Sequence, residues 1–284
     1  MNNIKIITDA ACDFPKELID KYDVDVVGMT LEFEGKDYVY GEKDSECISA
    51  KDFFAQVAKV SYLPKTASPS PDRIIQKYKT DEDVIIITLA GKLSAIYGTA
   101  NMAKNMYEED KSHTNKIYVI DSTTGSAGCS QLVKLACELR EHGKSAAEIV
   151  EIVEANRDNV SCYGILETLD NAIKGGRVKP IVGKVADILN IKAIVKVGES
   201  AVVPVDKSRG ENKALEKVLN KVDHGIENKE TKDAIICHAN APERAAKMKE
   251  LLKEKGYRKI YVDEMGPVMG TYTGEGAIIV AIIK

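Results

Sequence analysis

Hydroxyl side chains recur just beyond the strand-like runs of this sequence. The run "IKII" leads into "TDAACD", "VIIIT" into "LAGKLSAIYGTA", and "KIYVI" into "DSTTGSAG". Thr66, Ser68 and Ser70 share the segment "YLPKTASPSPD", and the eleven residues "GPVMGTYTGEG" from Gly266 to Gly276 hold four glycines and two threonines. Ligands of open parallel sheets collect beyond the carboxyl ends of the strands. Hydroxyls and bare backbone N–H groups at such a place suit one small anionic group. Ser94 follows "LAGK" and precedes a helical pattern, where a helix start offers free N–H groups to an anion. A plain N-cap accounts for the same placement.

This chemistry is binding rather than bond breaking. No G-x-S-x-G elbow is present, since "TTGSAGCS" lacks the first glycine at the needed spacing, and neither a phosphate loop nor a G-x-G-x-x-G fingerprint occurs. Of the four histidines, His113, His142 and His224 lie in polar stretches, and His238 follows the strand-like "DAIIC". Asp9, Asp13 and Asp121 stand near strand ends, where caps and turns explain them. The six cysteines (Cys12, Cys47, Cys129, Cys137, Cys162, Cys237) form no C-x-x-C pair and have no histidine at metal-ligand spacing. They read as small apolar core residues, so neither a metal nor a cofactor is expected.

The elements that must carry these residues alternate. Short β-branched runs precede longer periodic segments such as "SAIYGTANMAKNMYEE" and "GSAGCSQLVKLACELREH", the pattern of parallel strands joined by crossover helices. The expected fold is α/β. "VDVVGMTLEFEG" and "KDYVY" depart from this as a hairpin. Ser70-Pro71-Asp72 marks a helix start, and Ser145 with Glu148 fits a capping box. After residue 160 a second set of strands and helices begins and ends in "AIIVAII". Two α/β domains follow, 1–160 with a parallel sheet and 161–284 with a mixed one.

A chain of 284 residues has ample length to bury a core. The net charge of −4, with both signs interspersed, leaves no basic footprint for nucleic acid. No apolar run is long enough to span a bilayer, so stable membrane insertion is not expected. The strand-like "MNNIKIITDA" shows no signal-peptide pattern, which makes the cytoplasm the expected location.

Six segments, "TDAACDFP", "KTASPSP", "LSAIYGTA", "VIDSTTGSAG", "LDNAIKGGRV" and "GPVMGTYTGEGAI", occur in the order and at about the intervals seen in the DegV family, which the chain resembles over essentially its whole length. The resemblance implies a two-domain protein that holds one long-chain fatty acid between its domains. It also implies a role as a lipid-binding carrier rather than a catalyst: a separate, ATP-dependent fatty acid kinase would phosphorylate the bound carboxyl group and feed acyl chains to phospholipid synthesis. By that analogy the carboxylate is gripped by Thr66, by Ser94 and by the terminal-loop position that Tyr272 holds here, while the bare backbone at Gly270 and the hydroxyl of Thr271 are expected to close over it. Arg209, in "SRGENKAL", corresponds to an arginine associated with the kinase. The chain departs from the family pattern with "TASPS" for "TSQPS", "LSAIY" for "LSGTY", and "TYTG" for "THTG", so that Tyr272 replaces a histidine.

Burial of an acyl tail releases roughly 0.8 kcal/mol per methylene, on the order of 10 kcal/mol in all as an upper bound. Charge-assisted hydrogen bonds of about 1.5–3 kcal/mol each from hydroxyls would offset the desolvation of the carboxylate. On this expectation hydroxyls, rather than a cation, orient the head, and the glycines of the terminal segment let backbone N–H groups close over it. The alternative is an enzyme acting on a small phosphorylated or carboxylated metabolite through Ser94 or Asp121.

Overall fold

A computed structural model describes residues 4–42, 48–178 and 191–284. Its first part runs β1 (Ile4–Asp9), α1 (Lys16–Tyr22), β2 (Asp25–Val27), β3 (Met29–Phe33), β4 (Lys36–Tyr40), α2 (Ala50–Val57), β5 (Lys65–Ala67), α3 (Pro71–Tyr78), β6 (Asp83–Thr88), α4 (Ile96–Glu109), β7 (Ile117–Asp121), α5 (Ala127–Glu141) and α6 (Ala146–Ala155). The remainder comprises β8 (Val160–Leu166), α7 (Asp170–Lys174), β9 (Ile191–Gly198), β10 (Ala201–Arg209), α8 (Glu211–Val222), β11 (Asp233–His238), α9 (Pro242–Glu254), β12 (Lys259–Glu264), α10 (Pro267–Thr273) and β13 (Ile278–Ile283).

The fold is α/β. A parallel sheet in the order β2-β1-β6-β7 and a mixed sheet in the order β10-β9-β8-β13-β11-β12 are accompanied by a small antiparallel sheet, β4-β3-β5. The hairpin turn between β3 and β4 is Glu34-Gly35, with φ of 51° and 74°. Positive φ at both central residues matches the twist of the flanking strands. Ser70 caps α3 by accepting from Arg73 N, and Ser145 and Glu148 form the capping box of α6.

Side-chain alternation sets the layers. Ile6, Ile85 and Ile87 of the parallel sheet face α5, whereas Ile7, Val84 and Ile86 face α3 and α4. In the mixed sheet Ile235, Ile279 and Ala281 join the α5 side, while Ile236, Ile278 and Val280 pack under α8 and α9. Helix α5 is therefore enclosed between two sheets. Ten of its residues, from Ala127 to Cys137, are buried, which explains why "AGCSQLVKLAC" is small or apolar almost all round. Its one long amide is used across the layer, with Gln131 Nε2 donating to Asp233 O at 2.9 Å and Ala281 O at 2.7 Å. The chain passes from the first sheet to the second at Val160, and one core runs continuously through both.

The terminal Gly/Thr segment differs from the expected loop, because Pro267–Thr273 is helical. Pro267 occupies the first helical turn, where its fixed φ is already suitable, and Gly274 at φ 76° ends the helix. The cysteines Cys12, Cys129, Cys137, Cys162 and Cys237 are buried and unpaired as expected of core residues, and burial pushes the thiols of Cys137 and Cys162 up to about 12. Cys47 lies outside the described residues.

Candidate functional site

Beyond the carboxyl ends of the first sheet, a cavity opens between it and the mixed sheet, with about 60 Å³ open to the centre of a water molecule. The space is thus narrow. Its walls are mainly apolar: Val195, Val197 and Val202 from β9 and β10, Ile279 from β13, and Val268 and Met269 from α10. Ile279 is the residue of the terminal "AIIVAII" strand that reaches it.

Four of the polar side chains on this wall are Thr66 from β5, Ser94 from the turn before α4, Arg177 after α7, and Tyr272 from α10, of which Thr66 and Arg177 both contact Tyr272. All four are half-buried. Thr66 Oγ1 and Tyr272 Oη are 2.7 Å apart. One hydroxyl proton makes that bond, so the other remains to donate. Ser94 Oγ accepts from Ile96 N at 3.3 Å, a local bond that leaves its own O–H to donate. The residue before the helix is Ala95, so Ser94 is not the expected N-cap.

Arg177 is the residue that sequence reasoning missed. Its guanidinium lies over the Tyr272 ring, 4.3 Å from the centroid, and donates from Nε to Leu93 O at 3.1 Å and from Nη1 to Gly175 O at 2.6 Å. A guanidinium carries five N–H donors, so others remain available. Contrary to the expectation of hydroxyls alone, a fixed positive charge stands beside them. The signal was present in "KGGR", where Gly175 has no side chain because a Cβ there would collide with the Tyr272 ring.

Gly270 and Thr271 correct the expected grip, for neither lines the cavity. The Thr271 hydroxyl donates back to Pro267 O at 2.8 Å, and a Cβ at Gly270 would stand 2.8 Å from Phe54 Cζ. The N–H groups expected to close over a head group are already used within the protein: Gly270 N to Gly266 O, Gly274 N to Gly270 O, and Gly276 N to Ala239 O. The glycines are there for close packing of a helix. Thr273 reaches the lining, with its hydroxyl donating to Met269 O at 3.1 Å.

The carboxylates near strand ends serve the backbone. Asp9 accepts from Ala11 N and Leu89 N, and burial raises its pKa to about 6. Asp121 accepts from Gly91 N and Thr123 N. Among the described residues that line this cavity none is Asp, Glu, His, Lys or Cys; Asp121 and Ser94 both line a separate, more open depression. His238 is buried, its Nδ1 accepts from Ala241 N at 3.3 Å, and burial lowers its pKa. Among the described residues no cluster of acidic, His and Cys side chains has the geometry of a metal site, and no helix is long and apolar enough to cross a membrane. Arg209 is exposed at the end of β10.

The DegV family, described as "uncharacterised protein, DegV family", matches residues 3–284. A DegV domain-containing protein of Clostridium acetobutylicum is 32% identical over 100% of this chain and 99% of its own. Among solved structures, a DegV family protein of Ruminococcus gnavus refined with vaccenic acid is 28% identical, with a TM-score of 0.90 over 99% of this chain and 100% of that one. The B3 protein of the fatty acid kinase of Streptococcus pneumoniae, loaded with linoleic acid, shares the fold at 24% identity, with a TM-score of 0.85 over 99% of this chain and 100% of that one. With one match running from residue 3 to the last residue and a relative aligned along its whole length, the chain belongs to the DegV family.

Proposed function

We propose that this protein binds one long-chain fatty acid, with its tail along the apolar cavity and its carboxylate at Thr66, Ser94, Tyr272 and Arg177. The observation that carries this reading is that those four donors line one mainly apolar cavity, three of them joined through Tyr272. A narrow apolar space with a few convergent polar groups is the form of a small-molecule site that takes an amphiphile. The tail would provide most of the affinity and the donors would orient the head. The Ruminococcus gnavus relative, refined with vaccenic acid, supports the ligand class.

In this reading the protein is a cytoplasmic carrier, not the catalyst. It presents the carboxylate to an ATP-dependent fatty acid kinase, and the exposed Arg209 contributes to that contact. The motifs shared with the family support the kinase. Native mass spectrometry of protein purified from cells tests the binding. A co-purified mass matching a fatty acid is expected; protein that carries none and does not bind added palmitate would overturn the reading.

A further inference from the structure

Three of the six segments that mark this chain meet at a side chain that does not touch the cavity. Asp13, in "TDAACDFP", accepts from Ser126 Oγ of "DSTTGSAG" at 2.6 Å through Oδ2 and from Gly266 N of "GPVMG" at 2.9 Å through Oδ1. Both Asp13 and Ser126 are buried and both have positive φ, 50° and 48°. Ser126 combines that φ with ψ −129°, a conformation that costs on the order of 1–3 kcal/mol and persists only where surrounding bonds enforce it. Ser126 N donates to Ala11 O at 3.1 Å, and Ser130 Oγ donates to Cys12 O at 2.7 Å and to Asp13 O at 3.3 Å. The turn after β1 and the start of α5 are thereby locked together.

The other oxygen of the same carboxylate reaches α10. Gly266 is the residue before the first turn of this helix, and the helix supplies Val268, Met269, Tyr272 and Thr273 to the cavity. Seven residues are too few to hold a helix in place without tertiary anchors. Its seat is made by Asp13 at Gly266, by Phe54 against Gly270 and by the Tyr272 ring against Gly175. Tyr272 lies six residues beyond Gly266, about 9 Å along a rigid helix axis. A displacement at the Asp13 end is carried to the Tyr272 hydroxyl.

We propose that Asp13 is a positioning residue for the head-group site: by tying α10 to the first sheet through Gly266 and Ser126 it places Tyr272 against Thr66 and under Arg177. This rests on the fatty-acid reading above. Asp13 acts through Tyr272 and makes no contact with the ligand, so its removal acts on recognition of the carboxylate and leaves the tail's burial in place.

The test compares palmitate with hexadecanol, which share a chain and differ in the head, by displacement of a dansyl-labelled undecanoic acid from the full chain. The parent is expected to prefer palmitate. Asp13→Ala is expected to cut that preference about tenfold while the affinity for hexadecanol changes little. Asp13→Asn, whose amide still accepts from Gly266 N and donates to Ser126 Oγ, is expected to retain the preference. Equal losses for acid and alcohol in Asp13→Ala, or an unchanged preference, overturn the proposal. Should Asp13→Ala not fold, Ser126→Ala removes one of the two links, and the same comparison decides with a smaller expected loss. A parent that binds hexadecanol as well as palmitate instead refutes the carboxylate site itself.

Discussion

Thr66 and Tyr272, 206 residues apart in the chain, hold their hydroxyl oxygens 2.7 Å apart at the cavity wall. Tyr272 stands where the family pattern has a histidine, and the bond to Thr66 gives its hydroxyl a defined direction. Tyr272→Phe keeps the ring that Arg177 covers and deletes only this oxygen. Fatty acid affinity should fall by about 1–3 kcal/mol, and Thr66→Val should behave similarly. The double variant should lose less than the sum, because both residues belong to one hydrogen-bonded unit. Fully additive losses in a displacement titration would show that the two hydroxyls act separately.

Ser94→Ala removes a donor at the cavity and the acceptor for Ile96 N together. Affinity should drop roughly ten- to a hundredfold. Loss of the local bond should cost about 1 kcal/mol of stability, which urea unfolding reads independently. A stability loss without any loss of affinity would leave Ser94 with a local structural role alone.

Gly175→Ala tests the placement of Tyr272 by steric means. Gly175 has an ordinary helical φ of −76°, so alanine is tolerated by its backbone, but the added Cβ runs into the Tyr272 ring. The ring must move off Gly175, which disturbs both its bond to Thr66 and its stack with Arg177. Fatty acid binding should weaken by about tenfold or more, with circular dichroism unchanged. Parent-like affinity would mean that the Tyr272 position does not matter to the ligand.

The carboxyl group of Asp13 should make stability depend on pH. Burial is the largest influence and pushes its pKa up to about 8, with Asp263 and Asp9 adding like-charge repulsion against the bonds from Ser126 and Gly266. The folded state therefore retains a proton that the unfolded chain has lost above about pH 4, so stability falls as pH rises toward about 8. Between pH 7 and 8.5 the parent should lose more stability than Asp13→Asn in urea unfolding, and the variant should be the more stable of the two at the upper end. That window lies above the titration of Asp9, raised to about 6, and of His238, lowered from 6.5. Parallel slopes for the two proteins would show that Asp13 does not titrate there.

Arg209→Ala should leave fatty acid affinity unchanged while lowering acyl phosphate formation by a cognate kinase, as expected of an exposed charge at the end of β10. Equal losses in binding and turnover would place Arg209 at the lipid instead of the partner.

Local chemistry was sufficient for several features. The alternation of β-branched runs with periodic segments, the Glu34-Gly35 hairpin and the caps at Ser70 and Ser145 rest on interactions within a few residues, and each is legible along the chain. Ser94 was visible for the same reason, since it follows the strand-like run "VIIIT", whereas Thr66, expected in an extended connector, is the middle residue of β5. The periodicity of α5 announced a helix, and its lack of a polar face is the trace of its enclosure between two sheets.

Tertiary packing decided what the glycines and charges do. "GPVMGTYTGEG" reads as a loop because glycine is a poor helix former, yet Tyr40, Phe54 and the bond from Asp13 give α10 more than its intrinsic preference withholds. Gly270 faces Phe54 and Thr271 bonds its own helix, so neither reaches the cavity, whereas Tyr272, one position further on, does. Which face of a two-turn helix meets the cavity depends on partners from the turn after β1, from α2 and from the end of α7, far away in sequence. Arg177 shows the same limit: the sequence by itself determined that an arginine follows two glycines, and only the fold brought its guanidinium onto the Tyr272 ring, because stacking requires two segments nearly a hundred residues apart to be held at contact distance.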